Sequence, residues 1–174
     1  AYSNATQNPT ILSSTTGMSG IYTVTVTNAA GCTATATTTV VVNALPVPTA
    51  TNTGPYCEGA TIALSSTGGT GYSWSGPLAY SNATQNPTIA SSTAGMTGVY
   101  TVTVTNAAGC SATATTTVTV NALPVPTAGN TGPYCAGADI ILSSSGGTGY
   151  SWSGPLAYSN ATQNPTILSS TTGM

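Results

Sequence analysis

The chain repeats itself with a period of 78 residues. "GPLAYSNATQNPTI" starts at Gly76 and again at Gly154, "YTVTVTNAAGC" at Tyr22 and Tyr100, "LPVPTA" at Leu45 and Leu123, and "NTGPYC" at Asn52 and Asn130. Residues 1–78 and 79–156 differ at 11 positions and match at 67. The last eighteen residues, 157–174, are identical to the first eighteen. A near-exact repeat of this length means that each period must build the same small structure. With neither an initiator Met nor a signal peptide, the chain is expected to be a window cut from a longer tandem array at an arbitrary phase.

The phase of the unit follows from its prolines. "NALPVPTA" at 43–50 and 121–128 carries two prolines and no strand alternation, so it is expected to be an extended linker. The reading is three segments: the back half of a repeat at 1–46, a complete repeat at 47–124, and the front half of another at 125–174. Inside the complete repeat the apolar period is two, as in a half-buried strand. In "VYTVTVTN", Tyr100, Val102 and Val104 face one way and the threonines the other. "AAG" at 107–109 turns the chain, and "SATATTTVTV" then places Ala112, Ala114, Thr116, Val118 and Val120 on one face. The two strands read as a hairpin. Upstream, Ile62 and Leu64, then Tyr72 and Trp74, then Ile89 point inward between Gly- and Pro-marked turns. No stretch has helical spacing. Six or seven short strands in 78 residues predict an all-β fold, a small sandwich of two antiparallel sheets.

Composition removes most functional classes. The chain has no Lys, Arg or His, and its only acids are Glu58 and Asp139. It cannot neutralise phosphates, so no nucleic-acid partner is expected. It offers no basic patch to anionic lipid, and its apolar runs are far too short to enter a bilayer. The 40% apolar fraction argues against disorder. Acid–base catalysis needs a His or paired carboxylates, and a Ser or Thr nucleophile needs a base beside it. Neither is present, so no enzyme is expected. No calcium site is expected from lone acids. Cys32, Cys57, Cys110 and Cys135 lack the close spacing of zinc ligands. No cofactor is expected, and disulfides are preferred to metal.

The segments "CEGATIALSS", "YSWSGP", "GVYTVTVTNAAGC" and "TTVTV" of residues 57–120 together resemble the immunoglobulin-like and PKD-like repeats of giant secreted proteins of Bacteroidota. The shared pattern is Cys-x-Gly before strand B, a Trp on strand C, Gly-x-Tyr opening strand F and Gly-Cys in the F–G turn. "WSGPLAY" replaces the Gly-Asp-Gly loop of PKD domains, which favours the immunoglobulin-like label. The resemblance implies tandem immunoglobulin-like β-sandwiches joined by Pro-containing linkers, exported by type IX secretion to the cell surface. Relatives of that kind are adhesins and gliding or cell-contact filaments. It also implies that residues 1–46 supply strands E, F and G, and 125–174 supply A, B, C and E. Each half would then be completed by the neighbouring stretch of the array.

The resemblance places Trp74, Trp152, Tyr22, Tyr100, Ile62, Leu64, Val102 and Val104 in the core. Trp74 and Trp152 could instead form a sugar-stacking platform, the less favoured reading. Tyr56 and Tyr80 are candidates for contacts between molecules, because a tyrosine buries its ring while its hydroxyl stays wet. Asn4, Asn82 and Asn160 open N-glycosylation sequons, expected to be bare in a bacterium. The implied strand directions put Cys57 and Cys110 at opposite ends of one sandwich. That favours a bond from Cys57 to the F–G cysteine of the following repeat over a Cys57–Cys110 bond. Uncharged, Thr-rich strand edges lack the lysines that guard natural edges, so several chains are expected to associate side by side. The leading expectation is a structural segment of an extracellular filament or stalk serving adhesion, motility or cell contact. A glycan-binding adhesin module is the alternative, and an ice-binding Thr array is a weaker one, since a sandwich sheet twists.

Overall fold

The computed structural model describes residues 3–169. The chain divides into two compact units, Ala1–Asn121 and Ala122–Met174.

The first unit opens with an antiparallel hairpin of β1 (Gly20–Thr27) and β2 (Thr33–Val40). Nine strands follow: β3 (Thr49–Asn52), β4 (Tyr56–Cys57), β5 (Ile62–Thr67), β6 (Gly71–Gly76), β7 (Tyr80–Asn82), β8 (Thr88–Ile89), β9 (Gly98–Thr105), β10 (Ser111–Val118) and β11 (Val120–Asn121). They form one sheet in the order β3-β5-β8 and another in the order β10-β9-β6-β7. All pairs in these sheets are antiparallel, while β4 pairs with β11 in parallel. In immunoglobulin letters these are A-B-E and G-F-C-C′, with A′ lying along the end of G. The fold is an immunoglobulin-like sandwich. The A-to-A′ crossing contains a cis Gly54–Pro55 peptide.

The alternation in the sequence becomes the core. Tyr100, Val102 and Val104 of β9 are fully buried, as are Ile62 of β5, Trp74 of β6 and Val118 of β10. Each aliphatic side chain so buried stabilises the fold by roughly 1.5–3 kcal/mol. The Tyr100 hydroxyl donates to the Met96 carbonyl at 3.1 Å, four residues upstream, which is the tyrosine corner of this fold. Antibody domains place their second inter-sheet cysteine two residues after that tyrosine. Here the position is Val102, and the sheets are held by packing and by Asn52 Nδ2 of β3, which donates to Thr116 Oγ1 and the Thr117 carbonyl of β10 at 2.8 and 2.9 Å. Gly76 is required at its place, because a Cβ there would press into the Tyr100 ring.

The "TQNP" segment ties the C′–E connection to strand B. Gln85 Nε2 donates to the Ser66 carbonyl at 2.8 Å, and Asn86 Oδ1 accepts from Ser65 Oγ at 2.9 Å. Trp74 Nε1 donates to the Gln85 carbonyl at 3.3 Å.

The second unit holds β12 (Thr127–Asn130), β13 (Ile140–Ser145), β14 (Trp152–Ser153), β15 (Ser159–Asn160) and β16 (Thr166–Ile167). Its sheets are β12-β13-β16 and β14-β15, the counterparts of A-B-E and C-C′. The local ties recur: Gln163 Nε2 donates to the Ser144 carbonyl at 2.9 Å, and Trp152 Nε1 to the Gln163 carbonyl at 3.3 Å. Among its described residues there is no counterpart of F or G.

Candidate interaction surface

Repeat-equivalent residues differ in burial according to whether both halves of the sandwich are present. Val102 and Val104 have no exposed surface, whereas Val24 and Val26, one period earlier in the β1–β2 hairpin, are 52% and 62% exposed. Tyr100 is fully buried and Tyr22 only half-buried. On the complementary side, Ile62, Leu64 and Trp74 are buried, while Ile140, Leu142 and Trp152 are half-buried. The hairpin therefore carries an inner face without its opposing sheet. The second unit carries an open groove of about 320 Å³ whose lining includes Pro126, Ala128, Ser144, Tyr150 and Trp152.

The tyrosines proposed for intermolecular contacts are turned inward. Tyr56 is 8% exposed and belongs to the core. Its hydroxyl receives the Thr53 and Ala63 amides at 3.0 and 3.2 Å and donates to the Ala63 carbonyl at 3.1 Å. Burial would push its phenol pKa up, but the bonds from Thr53, Ala63 and Gly54 outweigh it and hold the pKa below the usual value. Tyr80 is half-buried with its ring edge-on to Tyr100, centroids 5.5 Å apart and planes at 65°. Both read as interface candidates because A′ and C′ are two- and three-residue strands, too short for an alternation to declare which side faces in. The signal that assigns Tyr56 is long-range, the pairing of β4 with β11.

The two acids serve local backbone bonds. Glu58 accepts from the Ala94 amide at 3.0 Å, and Asp139 accepts from the Ser169 amide at 2.7 Å. No group of three or more His, Cys, Asp or Glu side chains lies together among the described residues. Trp74 has no face open to a sugar. The sequon residue Asn82 uses its Oδ1 to accept from the Thr84 amide and hydroxyl, both at 2.8 Å, and Asn4 and Asn160 do the same in their own turns.

Cys57 ends β4, Cys32 and Cys110 directly precede β2 and β10, Cys135 lies in the connection that precedes β13, and all are free thiols. Cys57 is opposite Asn121 in the β4–β11 pairing. Cys110 lies eleven residues before Asn121, where the F–G turn meets β10. At about 3.3 Å per residue the separation is roughly 30 Å or more, while a disulfide needs Cα atoms within about 7 Å. A bond between these two cannot form in this fold.

No family model matches the chain, and no curated protein matches it. Solved structures with similar coordinates are immunoglobulin-domain proteins and a phage capsid protein. An amphioxus IgVJ-C2 molecule shares 19% identity at a TM-score of 0.39, over 60% of this chain and 62% of that one. Three N-terminal domains of the bacteriophage RB49 highly immunogenic outer capsid protein share 20% at 0.41, over 73% and 50%. Murine CEACAM1b shares 14% at 0.40, over 56% and 66%. The fold assignment rests on strand order and pairing, and these likenesses add nothing about activity. No described helix is long and apolar enough to cross a membrane.

Proposed function

We propose that the chain is a structural segment of an extracellular fibre, a tandem array of immunoglobulin-like sandwiches that associates with copies of itself and serves adhesion or cell contact. The observation that carries this reading is the unequal burial of equivalent residues. The repeat buries its inner face only when A, B, C and C′ meet F and G, so a stretch of array has apolar surfaces that another stretch fits. Composition supports the same reading. A surface with two acids and no bases carries almost no field to hold copies apart, and Thr-rich strand edges are unguarded. The resemblance to secreted repeats of Bacteroidota supports an array outside the cell, exported by type IX secretion. The site residues support binding by shape and uncharged hydrogen bonds, with no chemistry performed.

Electron microscopy of the purified chain tests the proposal. Filaments formed without added ligand are the expected result. A monodisperse monomer at all concentrations would contradict it, and specific retention of that monomer on a glycan array would turn the assignment to a ligand-binding adhesin module.

A further inference from the structure

Two cysteines of the repeat neighbour equivalent residues at the end of strand G, Cys57 beside Asn121 and Cys110 beside Asn43. In the complete sandwich Cys57 is the register partner of Asn121, and the next amide, Glu58, donates to the Asn121 carbonyl at 2.9 Å. One period earlier the equivalent residue is Asn43. Its carbonyl oxygen lies 4.0 Å from Cys110 Sγ, and the adjacent Ala44 carbonyl accepts from Asn106 Nδ2 at 2.9 Å. So the F–G turn of a repeat leans on the end of strand G of the repeat before it. That same strand end is where the A′–B cysteine of the earlier repeat pairs. Paired strands are about 4.8 Å apart, so in an array both cysteines neighbour the same strand-G residue.

The turns themselves recur with the period. Cys57 and Cys135 carbonyls accept from Ala60 and Ala138 amides at 3.1 and 3.0 Å, and the Cys32 and Cys110 carbonyls accept from Asn28 and Asn106 amides at 2.9 and 3.0 Å. Cys32, Cys57 and Cys135 are exposed, and Cys110 is partly so.

We propose that the A′–B cysteine of each repeat and the F–G cysteine of the next form a disulfide across the repeat boundary. Resting on the array reading above, the partner thiols for this chain come from a second copy joined head to tail in register. Cys57 of one copy bonds to Cys32 of the next, and Cys135 to Cys110. Each bond forms as two thiols give up two electrons and two protons to a small-molecule disulfide such as glutathione disulfide, which leaves as two thiols. The bond staples a boundary that the proline linker and the Asn106–Ala44 hydrogen bond otherwise hold.

The test is oxidation of the full chain at high concentration with glutathione disulfide, then chymotryptic mapping of linked peptides. The four cysteines are distinguishable by the residue that follows each, Thr33, Glu58, Ser111 and Ala136. A non-reducing ladder that collapses with dithiothreitol is expected, with Cys57–Cys32 and Cys135–Cys110 as the dominant links. C57S should lose the first link and keep the second. A Cys57–Cys110 link, an indiscriminate mixture of pairs, or thiols left free or merely glutathionylated would overturn the proposal. Filaments with free thiols would overturn the staple and leave the fibre reading standing. Correctly linked short oligomers that never lengthen would overturn the fibre reading alone.

Discussion

Tyr100 anchors strand F at the residue scale, through its bond to Met96 in the E–F connection and its edge contact with Tyr80 of β7 in the same sheet. Tyr100→Phe should cost about 1 kcal/mol at neutral pH, the net worth of one buried hydrogen bond, read as a lower urea midpoint. Burial raises the Tyr100 phenol pKa, with the Tyr80 phenol adding to it, and burial raises Tyr80 against an opposing bond from Asn82. A folded pKa above the unfolded value of 10.0 contributes stability that is whole below pH 10 and lost as pH rises through the folded value. Tyr56 runs the other way, since its pKa is lowered by bonds that outweigh burial. Stability between about pH 9 and 11 should therefore fall less steeply in Tyr100→Phe and more steeply in Tyr56→Phe. Equal slopes in urea melts would show that these phenols do not couple to folding. Leu78 gives a second residue-scale prediction. It holds φ 54°, ψ 35° at the C–C′ turn and is 71% exposed. A left-handed backbone costs an ordinary side chain about 1–2 kcal/mol, and Asn tolerates it better. Leu78→Asn should raise the melting temperature. A lower one would mean that the leucine packs more than its exposure indicates.

At the scale of elements, the same hairpin is seen with and without its opposing sheet. Val102→Ala in β9 should lower stability by about 2 kcal/mol through the cavity it leaves. Val24→Ala, the same change in β1, should leave the melting of the sandwich unaltered and weaken association between copies, measurable by sedimentation velocity. If both substitutions lowered the melting temperature equally, β1 would have to be packed within its own chain. These long strands were legible in the sequence because eight residues of strict alternation, as in Gly98–Thr105, declare their inner face unaided. Strand B was equally plain from Ile62 and Leu64. The short elements were not. A reading of "NALPVPTA" as linker stops at residue 50, yet β3 begins at Thr49, because its pairing with β5 depends on Thr67, eighteen residues away, and on no local signal. The same holds for the burial of Tyr56 and Tyr80: in strands of two or three residues the inner face is chosen by tertiary pairing. The candidate surface was legible as a consequence of the period, while the place where Cys110 meets Asn43 required coordinates.

The whole molecule is a repeat with almost no charge, and its assembly should show that. Exposed charges are what salt screens, so self-association should be unchanged between low and moderate sodium chloride. Strong weakening by salt would point to an electrostatic contact that two acids cannot supply. The central claim is that separated halves of the repeat complete one another between copies. Hydrogen exchange as a function of protein concentration measures this most directly. Peptides beginning at Ile21 and at Val99 differ in mass, so the amides around Val24 and those around Val102 are read separately. The amides of β9 should be protected at every concentration. Those of β1 on the edge away from β2, where β9 pairs with β6, should pass from fast exchange in dilute solution to the protection of β9 once copies assemble, together with those of β14, the equivalent of β6. Fast exchange of these β1 and β14 amides in fully assembled material would contradict the account.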